Sequence, residues 1–504
     1  MLALIQASEG VGYSARTRAL LTLLGPLAAV ICFLLLHAHS QPLRLTAALT
    51  VWVAIWWLTE CIDAAITALL PLALLPILGV LTPVEVAQSY GNELILLLAG
   101  GFMLSGALES SGAHRRLAFG LLRLCGAHSG AHLIWGFAIA TGFLSMWISN
   151  TATTLMMLPV ALAILTHYPD QRLRAPLILA IAYSASLGGM GTPMGTPPNL
   201  VFMAAYEQTT GVRFGFVEWL KIGLPLVAIT IPLLAWWLSR GLKDSPAAHL
   251  PQLGQIEKVE VRVLSVFVLI ALAWIFRAEP FGGWSKLLGV PGVNDAAIAF
   301  IGVIALCLIP DGRTKINPSH SEFDYNDVSH NDASATGRAQ IDLGATSGGR
   351  CLDWARAQKI PWGALMVFAG GIALAKGFER SGLSDLLAAN LGALTALPLP
   401  VMLLGLCLGV TLMSEIASNT ATAVLLMPVL AAVAQANGLN PALLMLPAAL
   451  AASLGFMLPV ATAPNAIAYG TGMVSSRQML RAGWFVDLFG VLVLALISWI
   501  AFGC

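Results

Sequence analysis

Residues 141–160, TGFLSMWISNTATTLMMLPV, return near the other end of the chain as residues 411–429, TLMSEIASNTATAVLLMPV, with Ser149 on Ser418 and Pro159 on Pro428 at a constant offset of 269. The likeness extends in both directions. Gly100-Gly101 and Glu109 match Gly370-Gly371 and Glu379 at an offset of 270, and Pro198-Asn199 match Pro464-Asn465 at an offset of 266. Chance similarity between apolar segments does not keep rare polar residues in one order at nearly one spacing, so the chain carries an internal duplication. Whatever fold it adopts is built from two copies of one unit.

Composition sets the solvent for those copies. Of 504 residues 58% are hydrophobic and 10% charged, where a soluble domain is about 25% charged. Apolar runs near 19–37, 44–58, 62–80, 92–110, 222–239, 262–277, 293–310, 361–378 and 483–502 approach the roughly 20 residues that an apolar helix needs to cross a bilayer. The expectation is an all-α polytopic membrane protein. Its first run ends at Ala38-His39-Ser40, which resembles a signal-peptide cleavage site, but the stretch is long and more membrane follows, so it reads as an uncleaved first span. A net charge of +1 gives no field for nucleic acid, and the seven cysteines form neither a CxxC pair nor a metal-ligand cluster. The organisation read from these patterns is an N-terminal segment and first helix over 1–43, a first repeat over 44–241 and a second over 262–503. Residues 311–350, rich in Asp, Ser, Asn, His and Gly, read as a disordered loop on the cytoplasmic side.

Three apolar stretches, 131–167, 175–208 and 398–473, are broken by Gly, Pro, Ser, Asn and Thr. Hydrocarbon cannot satisfy non-helical backbone, so such breaks lie within protein or beside a cavity. Ser, Asn and Thr are good N-caps, and each Ser-Asn-Thr is expected to start the return arm of a hairpin, over 131–167 and 398–432. Two helix N-termini facing each other suit an anion with two negative groups, while carbonyl, Ser and Asn oxygens suit an alkali cation. Residues 133–166, 175–212 and 381–476 contain no Lys, Arg or His. Helix dipoles contribute up to about 2 kcal/mol each, which is small against the desolvation of a dianion, so a bound cation is expected to supply the missing positive charge. With a cytoplasmic N-terminus and re-entrant hairpins, 19 of the 26 Lys and Arg residues fall in cytoplasmic loops, and the two repeats come out inverted. Glu415 has Met146 as its counterpart and reads as a structural hydrogen-bonding group rather than a proton carrier. Trp56-Trp57 fits an aromatic belt.

Trp56-Trp57-Leu58-Thr59-Glu60, the two Ser-Asn-Thr motifs, Gly195-Thr196-Pro197-Pro198-Asn199, Leu352-Asp353-Trp354 with Pro361-Trp362-Gly363, and Gln478-Met479-Leu480-Arg481-Ala482-Gly483 resemble the divalent anion/sodium symporter family over nearly the whole chain. The resemblance implies two inverted repeats with about eleven transmembrane helices and two re-entrant hairpins, arranged as a homodimer that works by an elevator movement. By motif position it implies a first sodium site at Ser145, Ser149, Asn150 and the Gly195 carbonyl. A second would use Ser414, the Ala417 carbonyl, Asn419 and the Ala461 carbonyl. Substrate carboxylates would meet Ser149, Asn150, Thr151, Thr196 and Pro197 on one side, and Ser418, Asn419, Thr420, Thr462 and Ala463 on the other. Ser414 stands where Thr is common, Asp63 where proline is, and Ala463 replaces the first proline of the usual Thr-Pro-Pro-Asn, which is expected to loosen the second loop.

The implied function is uptake of a C4 dicarboxylate such as succinate, malate or fumarate with sodium, in a cell membrane of the bacterial inner-membrane kind. At least two sodium ions and no organic cofactor are expected, with lipid and a second copy as partners. A sodium-independent dicarboxylate exchanger and a tricarboxylate or sulfate carrier remain open within the family, and an anion channel outside it. No Ser-His or paired-Asp arrangement of an intramembrane hydrolase occurs in the spans, and no enzymatic activity is expected.

Overall fold

The computed structural model describes residues 14–125, 129–242, 255–277, 283–290, 292–312, 349–391 and 398–502. Residues 313–348, nearly all of the polar stretch expected to be disordered, lie outside the described residues. Among the described residues every regular element is helical, and the one extended pairing is an isolated bridge between Pro310 and Arg350.

The first half of the chain contains α1 (Ala15–Leu35), α2 (Gln41–Thr59), α3 (Ala64–Thr67), α4 (Leu69–Ile77), α5 (Pro83–Tyr90), α6 (Glu93–Ser111), α7 (Ala113–Cys125), α8 (Gly130–Ser145), α9 (Asn150–His167), α10 (Arg174–Gly189), α11 (Pro197–Thr210) and α12 (Phe216–Leu238). The second half contains α13 (Lys258–Ile275), α14 (Gly283–Leu287), α15 (Asp295–Leu308), α16 (Trp354–Ala357), α17 (Trp362–Ser381), α18 (Leu383–Leu391), α19 (Leu399–Ser414), α20 (Asn419–Ala436), α21 (Ala442–Ala451), α22 (Ala463–Gly470) and α23 (Ser476–Phe502). Among the described residues six stretches are long and apolar enough to cross a bilayer: α1, α2, α5 with α6, α12, α20 and α23. This is a multi-pass membrane architecture. The three interrupted stretches each fall apart into helices at their polar breaks, 131–167 into α8 and α9, 175–208 into α10 and α11, and 398–473 into α19 to α22.

The centre of the molecule is formed by α10 and α21. All ten residues of α21 are buried, as is every residue of α10 from Ala175 to Gly189 except Pro176. A helix that is apolar on all sides belongs inside protein. Each of these two helices runs into a non-helical loop, 190–196 after α10 and 452–462 after α21. The broken backbone thus starts from the best-shielded part of the fold, as an apolar surrounding requires.

The duplicated glycine pairs allow close helix contacts. A Cβ on Gly100 of α6 would lie 2.7 Å from Ala299 Cβ on α15, and one on Gly370 of α17 would lie 3.1 Å from Ala68 Cβ between α3 and α4. The second glycine of each pair faces a broken element: a Cβ on Gly101 would meet Met194 Sδ at 2.5 Å, and one on Gly371 would collide with Val424.

Trp56 and Trp57 depart from the aromatic-belt expectation. Trp57 is fully buried and its Nε1 donates to Ala64 O at 3.0 Å, pinning the corner between α2 and α3. Trp56 Nε1 donates to Thr22 O at 3.1 Å and ties α2 to α1. A buried indole N–H needs an acceptor, and here two backbone carbonyls provide it. At the same corner Glu60 takes a left-handed conformation (φ 48°), and Asp63 caps α3 by accepting from Ala65 N at 2.7 Å.

Candidate functional site

Each Ser-Asn-Thr sits where a helix restarts. In the first hairpin α8 ends at Ser145 and α9 begins at Asn150, and Ser145 Oγ donates to Asn150 Oδ1 across the turn at 2.7 Å. In the second, α19 ends at Ser414 and α20 begins at Asn419, with Ser414 Oγ 2.8 Å from Asn419 Oδ1 and 2.6 Å from Ala452 O. A hydroxyl has one proton, so Ser414 divides it between two acceptors while Ser145 serves one. Ser149 caps α9 by accepting from Ala152 N at 3.3 Å. Ser418 occupies the same N-cap place but makes no side-chain cap bond, so only one of the two serines caps by hydrogen bond.

The Pro-Asn loops are stapled alike. Asn199 Nδ2 donates to Gly189 O at 3.0 Å and Thr192 O at 2.7 Å. Asn465 Nδ2 donates to Gly455 O at 2.9 Å and Leu458 O at 3.0 Å, the residues at the same offset of 266. Each amide thereby binds both ends of the broken segment before it. Pro198 and Pro464 open the following helices, where a missing N–H costs nothing. Ala463 leaves the second staple in place, and Thr462 adds a cap by accepting from Asn465 N at 3.2 Å, whereas Thr196 makes no such bond.

In the first half, hairpin and loop converge on a glycine. A Cβ on Gly189 would lie 2.5 Å from Asn150 Oδ1 and 3.1 Å from Gly195 O, so both oxygens face a spot that only glycine leaves open. In the second half a Cβ on Gly455 would lie 3.4 Å from Ala461 Cβ and 3.6 Å from Ser414 O, which is ordinary contact. The halves also interlock, since α9 packs against α22 and α20 against α11. Ser145, Gly195, Thr196, Ser414, Ala417 and Ala461 are buried. Ser149, Asn150, Pro197, Ser418, Asn419, Thr420 and Thr462 are half-buried, and Thr151 and Ala463 are exposed.

The donor set is made of hydroxyl, amide and carbonyl oxygen. Among the described residues no cluster of three His, Cys, Asp or Glu could hold a metal ion. Neutral hard oxygen fits an alkali cation, not a soft transition metal. Buried oxygens without a partner recur at matched places, Asn199 and Asn465 Oδ1 at an offset of 266 and Thr153 and Thr422 Oγ1 at 269. A separate polar cavity of about 290 Å³, lined by Gln88, Asn92, Glu207, Gln208, Lys376 and Glu379 among others, opens beside the far end of α11 and includes none of the Ser-Asn-Thr residues.

Sequence reasoning read Glu415 as a structural hydrogen-bonding group, as the structure has it, but missed the other residues that back the loops. Glu415 Oε1 and Oε2 accept from Met457 N at 2.8 Å and Leu458 N at 2.9 Å, and Asp487 Oδ2 accepts from Phe456 N at 3.3 Å. From the first half, Tyr183 OH donates to Phe456 O at 2.7 Å and Met479 O at 3.1 Å. The first loop is backed by Trp219 Nε1, which donates to Met190 O at 3.0 Å, and by the Thr192 hydroxyl on Met146 O. One signal was available: Asp487 is the lone acidic residue of the 27-residue apolar α23, and charge at such a place has a purpose.

Residues 18–503 match the family model described as the sodium:sulfate symporter transmembrane region. The sodium-dependent dicarboxylate transporter SdcS of Staphylococcus aureus strain USA300 is 35% identical over 499 residues, covering 94% of this chain and 89% of the relative. SdcS of strain NCTC 8325 / PS 47 matches with the same identity and coverage. In fold, the chain is similar to the crystal structure of the Alcanivorax borkumensis YdaH transporter, with a TM-score of 0.53 and 16% identity over 85% of this chain and 88% of that one.

Proposed function

The chain belongs to the sodium:sulfate symporter family, whose members are transporters and not enzymes, and on that premise we propose that it takes up C4 dicarboxylates such as succinate, malate or fumarate together with sodium. The observation that carries this reading is the pair of matched oxygen cages, Ser145 with Asn150 and Ser414 with Asn419, in stretches that contain no Lys, Arg or His. A dianion desolvated there needs a positive partner, and neutral oxygen ligands can hold one only as a bound cation. The similarity to SdcS, a sodium-dependent dicarboxylate transporter, supports this choice over sulfate.

In this reading Ser145, Ser149, Asn150 and the Gly195 carbonyl hold one sodium ion, and Ser414, the Ala417 carbonyl, Asn419 and the Ala461 carbonyl hold another. The substrate carboxylates meet Ser149, Asn150, Thr151, Thr196 and Pro197 from one half, and Ser418, Asn419, Thr420, Thr462 and Ala463 from the other. Each carboxylate gains the N-terminal dipole of α9 or α20 and the hydroxyl of Thr151 or Thr420. The two repeats run in opposite senses through the membrane with the N-terminus cytoplasmic, and a homodimer carries its sites across by an elevator movement.

The test is uptake of labelled succinate into proteoliposomes, with fumarate, malate, citrate and sulfate as unlabelled competitors and choline replacing sodium. Inhibition by fumarate and malate alone, and loss of uptake in choline, is the expected result. Competition by sulfate at equal concentration would turn the substrate assignment over to sulfate. Thr151→Ala and Thr420→Ala should each raise the succinate concentration for half-maximal uptake by roughly ten- to a hundredfold, as expected for one lost hydrogen bond to a charged group. Full-strength uptake by both would remove the threonines from the site.

A further inference from the structure

The two broken loops differ in what lies behind them, and the difference centres on one buried acid. Gly223 and Gly483 hold corresponding places on α12 and α23. A Cβ on Gly223 would lie 2.7 Å from both Met190 O and Gly191 O, and one on Gly483 would collide with Phe456 O and lie 2.6 Å from Met457 N. Four residues further on, α12 has Val227 and α23 has Asp487. Asp487 is 4% exposed, accepts from Phe456 N, and lies beside the Glu415 carboxyl, which is 3% exposed and accepts from the next two backbone N–H groups. The turn from Phe456 to Leu458 thus gives three consecutive N–H groups to two carboxyls, one in the turn after α19 and one on α23. One of its carbonyls, Phe456 O, accepts from Tyr183, whose own counterpart in the second half is Ala449. The stretch 381–476 that contains Glu415 and the turn has no Lys, Arg or His.

We propose that Asp487 is a positioning residue for the second ion-and-substrate loop: with Glu415 it fixes the turn 456–458, and so the Ala461 carbonyl and Thr462 that follow. The proposal rests on the reading of the second cage as a sodium site. The path from clamp to cage is short, since Asn465 Nδ2 binds Leu458 O within the clamped turn and Thr462 caps Asn465 N. A buried turn held only by its own backbone would have three unpaired N–H groups and a range of conformations. Fixing them places a carbonyl ligand before the ion arrives, which lowers the cost of binding. An amide at position 487 keeps an acceptor of the same shape for Phe456 N–H, so Asp487→Asn should preserve the clamp. Leucine should not.

The experiment uses the purified full-length protein and two readouts, the sodium-dependent rise in thermal unfolding temperature without dicarboxylate, and the sodium dependence of succinate uptake. Asp487→Leu is expected to raise the half-saturating sodium concentration about tenfold in both, the size of one lost hydrogen bond to a charged group. Asp487→Asn should stay within about threefold of wild type, and Tyr183→Phe should shift in the same direction by less, as for a neutral hydrogen bond. If Asp487→Leu does not fold, Tyr183→Phe carries the test alone. Unchanged sodium binding in Asp487→Leu or Tyr183→Phe, or an Asp487→Asn as impaired as Asp487→Leu, overturns the proposal. If wild type neither is stabilised by sodium nor needs it for uptake, the coupling reading fails instead. The clamp is then judged by the succinate concentration for half-maximal uptake, which Asp487→Leu must raise and Asp487→Asn must not.

Discussion

The first and second broken loops solve one problem by different means. Both interrupt a buried helix, both are stapled by an asparagine to two carbonyls, and both follow a hairpin in which a serine binds an asparagine. The first is held by close approach, with Gly189 against Asn150 and Gly195 and an indole and a threonine behind it. The second has ordinary spacing at Gly455 and is held by Glu415, Asp487 and Tyr183. A duplicated unit therefore keeps the staple that shapes the loop and is free to vary the support behind it. Steric support and polar support fail differently under substitution.

The largest contrast is expected at the matched glycines. Gly189→Ala should reduce uptake by more than about a hundredfold, because its Cβ would meet Asn150 Oδ1 at 2.5 Å and Gly195 O at 3.1 Å, and overpacking of this kind costs about 1–3 kcal/mol even where no ligand site is touched. Gly455→Ala, whose nearest neighbour is at 3.4 Å, should keep uptake within about threefold of wild type, an effect of under 1 kcal/mol. Equal losses in the two variants would mean that the loops are equally tight.

A smaller contrast is expected at the hairpin asparagines. Asn150→Ala and Asn419→Ala should each raise the sodium concentration for half-maximal uptake by about tenfold, since each removes an oxygen of a proposed sodium site. Their stabilities should part by about 1 kcal/mol, the worth of one hydrogen bond. Ser145 then loses the acceptor it has in Asn150, while Ser414 retains Ala452 O. Thermal unfolding of the two variants without sodium reads the gap, and a more stable Asn150→Ala would reverse the comparison.

The smallest is at the caps. Ser149→Ala should lower stability by about 1 kcal/mol and Ser418→Ala by a few tenths, because only Ser149 accepts from a backbone N–H of its helix. A loss at Ser418 as large as that at Ser149 would indicate a role for its hydroxyl outside helix capping.

What the sequence made legible follows from periodicity and from rare residues at fixed spacing. The helices, the breaks at Ser149 and Ser418 and the loops before Asn199 and Asn465 are all written in patterns that hydrocarbon enforces. What lies behind the loops is not, because Tyr183 and Phe456 are 273 residues apart and meet only through the packing of α10 into the second half. Asp487 was visible as an acid in an apolar helix, but its target was not. The tryptophans near α2 show the same limit: a pair of indoles marks either a membrane interface or a buried corner, and the Trp57 bond to Ala64 O decides for the corner.

In the proposed function sodium, held by neutral oxygen, carries the charge of the dicarboxylate through the membrane. The measurement that bears on it most directly is concentrative uptake of labelled succinate into proteoliposomes free of internal dicarboxylate, with an inward sodium gradient as the sole driving force. Accumulation above the external concentration that collapses when the gradient is dissipated is the expected result. Uptake that is indifferent to replacement of sodium by choline and is accelerated by dicarboxylate preloaded inside the vesicles would contradict it and identify an exchanger.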